Sequence, residues 1–297
     1  MQESECMNNP YATALDGLIL DDPVSSFFDF CREREKIRIA RENGDPFPWT
    51  DDPIFQKARF LNVFREDDRG SKAILSFAKG LENDLPMLIH TLFFARWCNR
   101  QETLDKLSSN MLLQPEALLK TLNSFNHWSN LTAYPVETVH WEGVDYSRLD
   151  AAVKLFLTIK EPLTKIIIRA EGDVIKATNA INTHFKMQND FPIFMAVMDL
   201  AWFRPDIIYP TSNVPTGIGA VAYLDRLQKC LGLKNHQETC EKMIALQKEY
   251  WPEAKRLFQP IDIEYLSCEC RKYYSYVNGT KRFEGKNIFR PYNSPNI

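Results

Sequence analysis

The chain has 297 residues, of which 44% are hydrophobic and 25% charged, and its net charge at pH 7 is −3. This composition is ordinary for a globular protein with one large domain or two small ones. No apolar run approaches the roughly 18 residues that a membrane helix needs, and we expect neither a secretory signal nor a membrane partner. Seven scattered cysteines predict reduced thiols and therefore a cytoplasmic protein.

Hydrophobic periodicity and helix end signals predict a mainly α-helical protein. The predicted helices cover residues 25–42, 53–65, 70–80, 84–98, 103–110, 115–125, 147–159, 161–168, 171–185, 190–203, 217–231, 236–249 and 262–276. Strand character appears only at 132–146, which predicts a short hairpin or an irregular excursion. Without a repeat or a linker, we expect a single domain over residues 1–297, undivided or two-lobed, with a loose tail at 280–297.

The first charged cluster lies on the first predicted helix. At helical spacing Arg34, Arg38 and Arg41 fall on one face, and Glu35 and Glu42 lie close enough to pair with them. The cluster is either a salt-bridged surface helix or a rigid set of guanidinium groups for phosphate, which the planar arginine fork binds in a bidentate way.

Two further motifs follow within thirty residues. In PWTDDP, Thr50 or Asp51 can cap the next helix, and Trp49 can simply pack. NVFREDDR places three carboxylates between Arg65 and Arg69. That second pattern is either a capped helix end or a mixed site, in which carboxylates hold a divalent metal and arginines neutralise phosphate.

A glycine-containing loop, VPTGIGA, precedes the helix predicted at 217–231. Small residues at Gly217 and Gly219 let backbone N–H groups approach a phosphate at the positive end of a helix. Farther on, the basic stretch 271–290 contains a single acid, Glu284. It is either a solvated tail or an edge that contacts DNA phosphates.

A single acid, Asp199, stands inside the apolar run MAVMDLAWF. An unpaired buried carboxylate is costly, so Asp199 is either a hydrogen-bonded anchor or a functional acid. The CEC sequence at 268–270 has no second Cys/His pair nearby, which argues against a zinc site. The sequence also has no GxxxxGK[ST] motif, which argues against phosphoryl transfer from ATP.

Taken together, PWTDDP, NVFREDDR, MAVMDLAWF and SCECRKY resemble the α-glutamyl/putrescinyl-thymine pyrophosphorylases, also described as amino acid:DNA transferases, and the helical domain of 5-hydroxymethyl-deoxyuridine DNA kinases. The resemblance is strongest over 34–72 and extends to 199–227 and 262–279. It implies a helical bundle resembling the helix-hairpin-helix DNA glycosylases. This chain departs from the glycosylases because no obvious catalytic Asp follows the glycine loop.

The resemblance implies a transferase in DNA thymine hypermodification. An upstream DNA kinase places pyrophosphate on 5-hydroxymethyl-deoxyuridine in DNA, and the transferase displaces it with an amine, either an amino acid or a polyamine. A glycosylase-like fold further implies that the nucleotide is flipped out of the duplex, with Trp49 stacking on the base. Asp68 or Asp199 is then expected to act as the base that deprotonates the amine.

The site residues that the resemblance implies fall into four sets. The catalytic set is Asp68, Asp199, Arg65, Arg69 and Glu66. The substrate-binding set is Arg34, Arg38, Arg41, Trp49, Thr50, Asp52, Asn62, Glu269 and Lys272. The DNA-binding set is Gly217, Gly219, Arg226, Arg271, Lys281 and Arg282. The ligands for a Mg²⁺ ion are Asp52, Glu66 and Asp68.

Two alternatives from other classes stay open. One is a non-catalytic helical subunit that binds DNA beside a 5-hydroxymethyl-deoxyuridine DNA kinase. The other is a DNA base glycosylase, which would leave abasic sites.

Overall fold

A computed structural model describes residues 11, 14–18, 20–131, 138–285 and 288–289. The chain divides into two compact units. The terminal unit contains Met1–Arg65 and Val214–Ile297, and the central unit contains Glu66–Asn213. Among the described residues, no helix combines the length and apolar character needed to cross a bilayer.

The described chain is mainly helical, as predicted. In chain order the elements are α1 (Pro23–Asn43), α2 (Pro53–Lys57), α3 (Arg69–Ala78), α4 (Leu85–Cys98), α5 (Gln101–Leu104), α6 (Pro115–Asn123), β1 (Val139–Trp141), β2 (Val144–Tyr146), α7 (Arg148–Asp150), α8 (Phe156–Thr158), α9 (Lys160–Arg169), α10 (Val174–Phe185), α11 (Phe191–Phe203), α12 (Val221–Leu231), α13 (His236–Tyr250) and α14 (Pro260–Val277). A π-helical turn at Ala151–Leu155 joins α7 to α8, and 3₁₀ turns lie at Arg65–Asp67 and Ser109–Leu113.

The terminal unit is built around α14, which packs against α1, α2, α12 and α13. A capping box between Gln259 and Asp262 fixes the start of α14. Aromatic rings fill the space between the helices: Phe27 contacts Phe28 at 5.4 Å and Phe258 at 6.2 Å between ring centroids. Each ring of this kind contributes on the order of 1.5–3 kcal/mol when it is fully buried.

The central unit is built around two helices that are apolar on every side. In α4 every residue from Met87 to Cys98 is buried, and in α11 every residue from Pro192 to Ala201 is buried. A helix without a polar face is stable only inside a core. The two helices pack against each other, and α9 and α10 pack alongside them.

The strand character at 132–146 produces a hairpin of β1 and β2, and residues 132–137 of that prediction lie outside the described residues. The turn residues Glu142 and Gly143 both have positive φ, 47° and 83°. Two such residues in succession match the twist of a tight hairpin. The hairpin attaches to α10 through Trp141, whose ring lies 4.9 Å from His184 and 5.8 Å from Phe185.

The prediction of a helix over 53–65 was wrong beyond Lys57, where α2 ends. Residues 58–64 run as an irregular segment, because their backbone groups bond to side chains of α14 instead of to one another. Two other helices start later than predicted. Positive φ at Glu171 and Gly172 delays α10 until Val174, and a turn at 217–220 delays α12 until Val221. The helix predicted at 103–110 is reduced to the short α5 and a 3₁₀ turn.

Part of the tail predicted at 280–297 is attached to the terminal unit. Ile288 forms a β-bridge with Ala58, and the Phe289 N–H donates to the Lys57 carbonyl at 2.8 Å. Residues 290–297 lie outside the described residues.

We expect the protein to lose stability in acid because of His90 in α4. Its ring is fully buried with no hydrogen-bond partner among the described residues, and burial, together with Lys160, lowers its pKa from 6.5 to about 4. Because the unfolded chain binds the proton more tightly, stability falls as pH drops from 6.5 to about 4, by up to about 3 kcal/mol.

The free energy of unfolding in urea, measured at pH 7 and pH 4.5, checks this expectation. We expect His90→Leu to flatten the difference between the two pH values, whereas the exposed His127→Gln should retain it. A pH dependence that His90→Leu leaves unchanged would assign the acid sensitivity to other groups.

Candidate functional site

Two segments that the sequence analysis singled out meet on α14 within the terminal unit. The first is the segment 58–64, which α14 holds through side chains. The Tyr265 hydroxyl donates to the Asn62 carbonyl at 2.7 Å, and Glu269 accepts the Leu61 N–H at 3.0 Å. Lys272 donates to the Arg59 carbonyl and forms an ion pair with Glu269 at 3.5 Å. The predicted substrate residues Asn62, Glu269 and Lys272 therefore belong to one network.

The same segment is fixed on its other side by α1. Arg34 is buried and donates to the Asn62 side chain and, at 3.4 Å, to the Phe60 carbonyl. Arg38 pairs with Glu35 through two bonds of 2.9 and 2.6 Å and also with Glu42. Arg34 and Arg38 therefore do not form a shared open face, because Arg34 is buried and Arg38 lies in a largely buried ion-pair network. Arg41 is half-buried in the last turn of α1.

The second motif on α14 is the glycine loop. Gly217 donates its N–H to Glu264 Oε1 at 2.8 Å, and the Gly219 carbonyl accepts from Arg271 at 2.9 Å. An added Cβ would lie 2.9 Å from Glu264 Oε1 at Gly217 and 2.6 Å from Cys268 Sγ at Gly219. A side chain at either glycine would therefore force the facing side chain of α14 to shift. The Gly217 N–H, predicted to face a DNA phosphate, is donated to a carboxylate instead.

Glu264 is the site residue that the sequence analysis missed. Its side chain is 7% exposed, and burial raises its pKa from 4.5 to about 7, while the Gly217 N–H and Arg65 oppose that rise. Arg65 itself lies over the Tyr265 ring at 5.6 Å. A carboxyl whose pKa is raised toward neutral pH, within the electrostatic influence of an arginine, is suited to accept and release a proton. We call Glu264, Gly217, Gly219, Arg65 and Arg271 the α14 site.

The PWTDDP residues lie at the start of α2. Asp52 caps the helix by accepting the Ile54 N–H at 2.7 Å, and it accepts the Tyr273 hydroxyl at 2.5 Å. The Thr50 hydroxyl accepts the Asp52 N–H at 3.1 Å. Trp49 donates to the Asp45 carbonyl at 2.7 Å, and its ring contacts Phe47 at 5.4 Å. Trp49 is half-buried against these neighbours, and its stacking on a flipped base stays a prediction.

The remaining NVFREDDR residues belong to the central unit. Glu66 and Asp67 lie in the 3₁₀ turn, and Asp68 precedes α3 without a side-chain capping bond. Arg69 donates to Gln101 and lies 3.5 Å from Glu102. These side chains are half-buried or exposed on the central unit.

Asp199 lies in the core of the central unit. Its carboxylate is fully buried and accepts two bonds from the Arg96 guanidinium, one of them at 2.7 Å. Arg96 is 1% exposed. This geometry is that of the hydrogen-bonded anchor, one of the two alternatives, and we do not carry Asp199 forward as the base.

The three expected Mg²⁺ ligands are not gathered by the described structure. Asp52 bonds to the α2 backbone and to Tyr273. Among the described residues, no group of three or more His, Cys, Asp or Glu side chains has the arrangement of a metal site. Dependence on Mg²⁺ stays a prediction, and the chemistry proposed below routes no step through a metal.

Basic side chains gather where α14 ends. Burial and the neighbouring charges of Lys272 and Arg271 lower the pKa of Lys281, which indicates that these positive groups lie close together. Lys57 lies over the Phe283 ring at 5.8 Å, next to this group. The exposed Lys57, Arg59 and Arg282, together with Lys281, are called the basic face.

Two predicted DNA contacts lie elsewhere. Arg271 is buried in the α14 site. Arg226 donates to the carbonyls of Leu15 and Leu18, with 2.6 Å to the second, and so ties the N-terminal segment to α12.

The fold and the α14 site define a helical protein with a buried carboxyl near the start of α14 and a basic face at the other end of that helix. The family described as "5-hmdU DNA kinase, helical domain" matches residues 22–281, and the chain belongs to this family. No curated protein and no solved structure matches the chain. The likeness to helix-hairpin-helix glycosylases therefore stays a prediction.

Proposed function

We propose that this protein is a DNA-modifying transferase that replaces the pyrophosphate of 5-pyrophosphoryloxymethyl-deoxyuridine with an amine. Family membership supports a role in the hypermodification of 5-hydroxymethyl-deoxyuridine in DNA, downstream of a kinase. The observation that carries the proposal is the convergence of two motif segments on α14, one of which, the glycine loop, donates to the buried carboxyl of Glu264.

The proposed reaction needs a base. The amine nitrogen forms a bond to the methylene carbon, the bond from that carbon to the pyrophosphate oxygen breaks, and its electron pair leaves with pyrophosphate. The nitrogen loses one proton, and Glu264 in its ionised form accepts it. A pKa of about 7 keeps a large fraction of Glu264 ionised at neutral pH and still able to hold the proton.

The leaving pyrophosphate needs positive charge. Arg65, one of the predicted catalytic arginines, belongs to the α14 site. Its positive charge acts on Glu264, where it opposes the rise in pKa. Positioned cations stabilise an anionic leaving group most strongly in a site that excludes water. The basic face supplies further positive charge for the phosphates of the DNA strand.

Release of pyrophosphate tests the proposal. DNA that contains 5-pyrophosphoryloxymethyl-deoxyuridine should release pyrophosphate when both the protein and an amine mixture are present, and not when either is omitted. Release that is independent of the amine would indicate hydrolysis rather than transfer. Abasic sites in the product DNA would instead indicate a glycosylase.

A second candidate is a non-catalytic DNA-binding subunit that works beside a kinase. The family match favours it directly, because the matching family is a helical domain of a kinase. The basic face gives this candidate a means of binding phosphate. It predicts DNA binding without release of pyrophosphate in the same assay.

Both candidates predict that the basic face binds DNA. We expect the triple variant Lys57→Ala/Arg59→Ala/Arg282→Ala to bind duplex DNA more weakly. The plot of log affinity against log salt concentration should lose about 0.9 in slope for each phosphate contact removed. Fluorescence anisotropy over a range of salt concentrations measures this slope.

A matched control removes three exposed lysines from α12 and α13. Lys229→Ala/Lys242→Ala/Lys248→Ala changes the net charge by the same amount away from the basic face. Equal losses of slope in the two triple variants would show that only overall charge matters and would contradict a local DNA-binding surface.

A further inference from the structure

The N-terminal segment packs on the helices of the terminal unit. Its described residues are 11 and 14–18, and we call them the strap. Within the strap, Ala14 and Leu15 are 8% and 2% exposed. The Asn278 side chain donates to the Ala14 carbonyl at 2.7 Å, and Asn278 stands three residues before Lys281 of the basic face. The strap therefore borders the basic face.

The strap covers two arginines of the terminal unit. Arg226 of α12 donates to the Leu18 carbonyl at 2.6 Å and also to the Leu15 carbonyl. The guanidinium of Arg271 in α14 lies 4.0 Å from the centre of the Tyr11 ring. Carbonyl oxygens and ring faces attract a cation, but neither carries a net charge.

Both arginines lack a counter-charge in the described structure. Arg226 and Arg271 form no ion pair with any described carboxylate. The other partners of Arg271 are the Gly219 carbonyl at 2.9 Å and the Cys268 sulfur at 3.5 Å. Because Arg271 is only 5% exposed, its charge is buried without the anion that would compensate it. A phosphate is an anion that a guanidinium group binds well.

The part of the chain that carries the strap is acidic. The first 22 residues contain five acids, at positions 3, 5, 16, 21 and 22, and no Lys or Arg. Asp16 lies within the strap and is exposed. A negatively charged segment beside a basic face repels DNA phosphates, which weakens the electrostatic attraction that DNA binding needs.

We propose that the strap is an autoinhibitory contact, which occupies Arg226 and Arg271 and is displaced when the phosphates of DNA reach them. The exchange replaces neutral carbonyl and ring contacts by ion pairs with phosphate. It also takes Leu15 out of its buried position, so the strap opposes DNA that makes few other contacts. This inference rests on the proposed function in one respect, namely that DNA is the ligand of the terminal unit.

Hydrogen-exchange mass spectrometry on the full chain tests the displacement directly. The peptide that contains residues 14–18 is followed with and without a short DNA duplex. We expect its amides to exchange about tenfold faster in the complex, because exchange reports the population of the open state. DNA that simply covered the strap would slow this exchange. Slower or unchanged exchange in the DNA complex therefore overturns the proposal.

The affinity for the same duplex provides a second test. Tyr11→Ala should tighten binding by about three- to tenfold, since the closed state loses its cation–π contact with Arg271. The gain should disappear when Tyr11→Ala is combined with Arg271→Gln, because that variant has no guanidinium to release. The control Tyr146→Ala removes a half-buried tyrosine of the central unit and should leave the affinity unchanged.

A circular dichroism melt verifies that each variant is folded. The proposal is overturned if folded Tyr11→Ala binds DNA no more tightly than the wild type, or if the gain persists with Arg271→Gln. It is also overturned if neither the wild type nor Tyr11→Ala binds the duplex.

The result can be separated from that of the proposed transferase. Faster exchange of the strap without release of pyrophosphate would support the strap and reject the transferase. Release of pyrophosphate with an unchanged strap would reject the strap alone.

Discussion

Asp199→Ala is expected to lower the free energy of unfolding by about 3–5 kcal/mol, because it leaves the Arg96 guanidinium buried without its counter-charge. Domains of this kind are stable by only about 5–15 kcal/mol in total, so the variant should be largely unfolded or insoluble at moderate temperature. Urea denaturation followed by circular dichroism measures the difference.

An exposed ion pair of the central unit provides the matched control. Arg204 and Asp206 pair at 2.6 Å, but the Asp206 side chain is 60% exposed. Asp206→Ala should therefore cost no more than about 1 kcal/mol. The double variant Arg96→Met/Asp199→Leu should recover much of the stability that Asp199→Ala loses. A variant Asp199→Ala with wild-type stability and no transfer activity would restore Asp199 as a catalytic acid.

Glu264→Gln is expected to lower the rate of amine transfer by about 10²–10⁴, the usual contribution of a positioned base. Gln keeps the size of the side chain and an oxygen that can accept the Gly217 N–H. It cannot accept the proton of the attacking amine. Single-turnover transfer on modified DNA measures the loss.

The pH dependence separates a base from a structural role. In the wild type the rate should fall as pH drops below about 7, because Glu264 becomes protonated and can no longer accept a proton. Glu264→Gln should lack that acidic limb. Glu269→Gln, in the neighbouring network of segment 58–64, should retain it, because the pH-sensitive group is still present.

Stability provides a second readout for Glu264. Its pKa in the folded protein is raised above the unfolded value, so ionisation costs stability as pH rises from about 4.5 to about 7. We therefore expect Glu264→Gln to be at least as stable as the wild type at pH 8. A loss of activity caused by unfolding would contradict this expectation.

The sequence predicted the helical class and most helices because local signals suffice for them. Gly44, with φ of 80°, ends α1 where the Asn43-Gly44 signal indicated. The sequence could not predict that α2 ends at Lys57. That ending depends on Tyr265 and Glu269, which are more than two hundred residues away in the chain.

The candidate site was predictable only as a set of segments. Motif resemblance singled out Asn62, Gly217 and Glu269, but spacing along the chain does not tell which groups are buried. Glu264 carries no sequence signal that separates it from the other acids of the chain. Its raised pKa arises from burial beside the glycine loop, which is a property of the tertiary structure.

Mass spectrometry of nucleosides from DNA that carries 5-pyrophosphoryloxymethyl-deoxyuridine is the most direct test of the transfer reaction. The DNA is incubated with the protein and a mixture of amino acids and polyamines, in parallel with Glu264→Gln. We predict a new nucleoside in which an amine has replaced pyrophosphate, formed by the wild type and strongly reduced with the variant. Unchanged nucleosides from DNA that the protein demonstrably binds would contradict the transferase and favour the DNA-binding subunit.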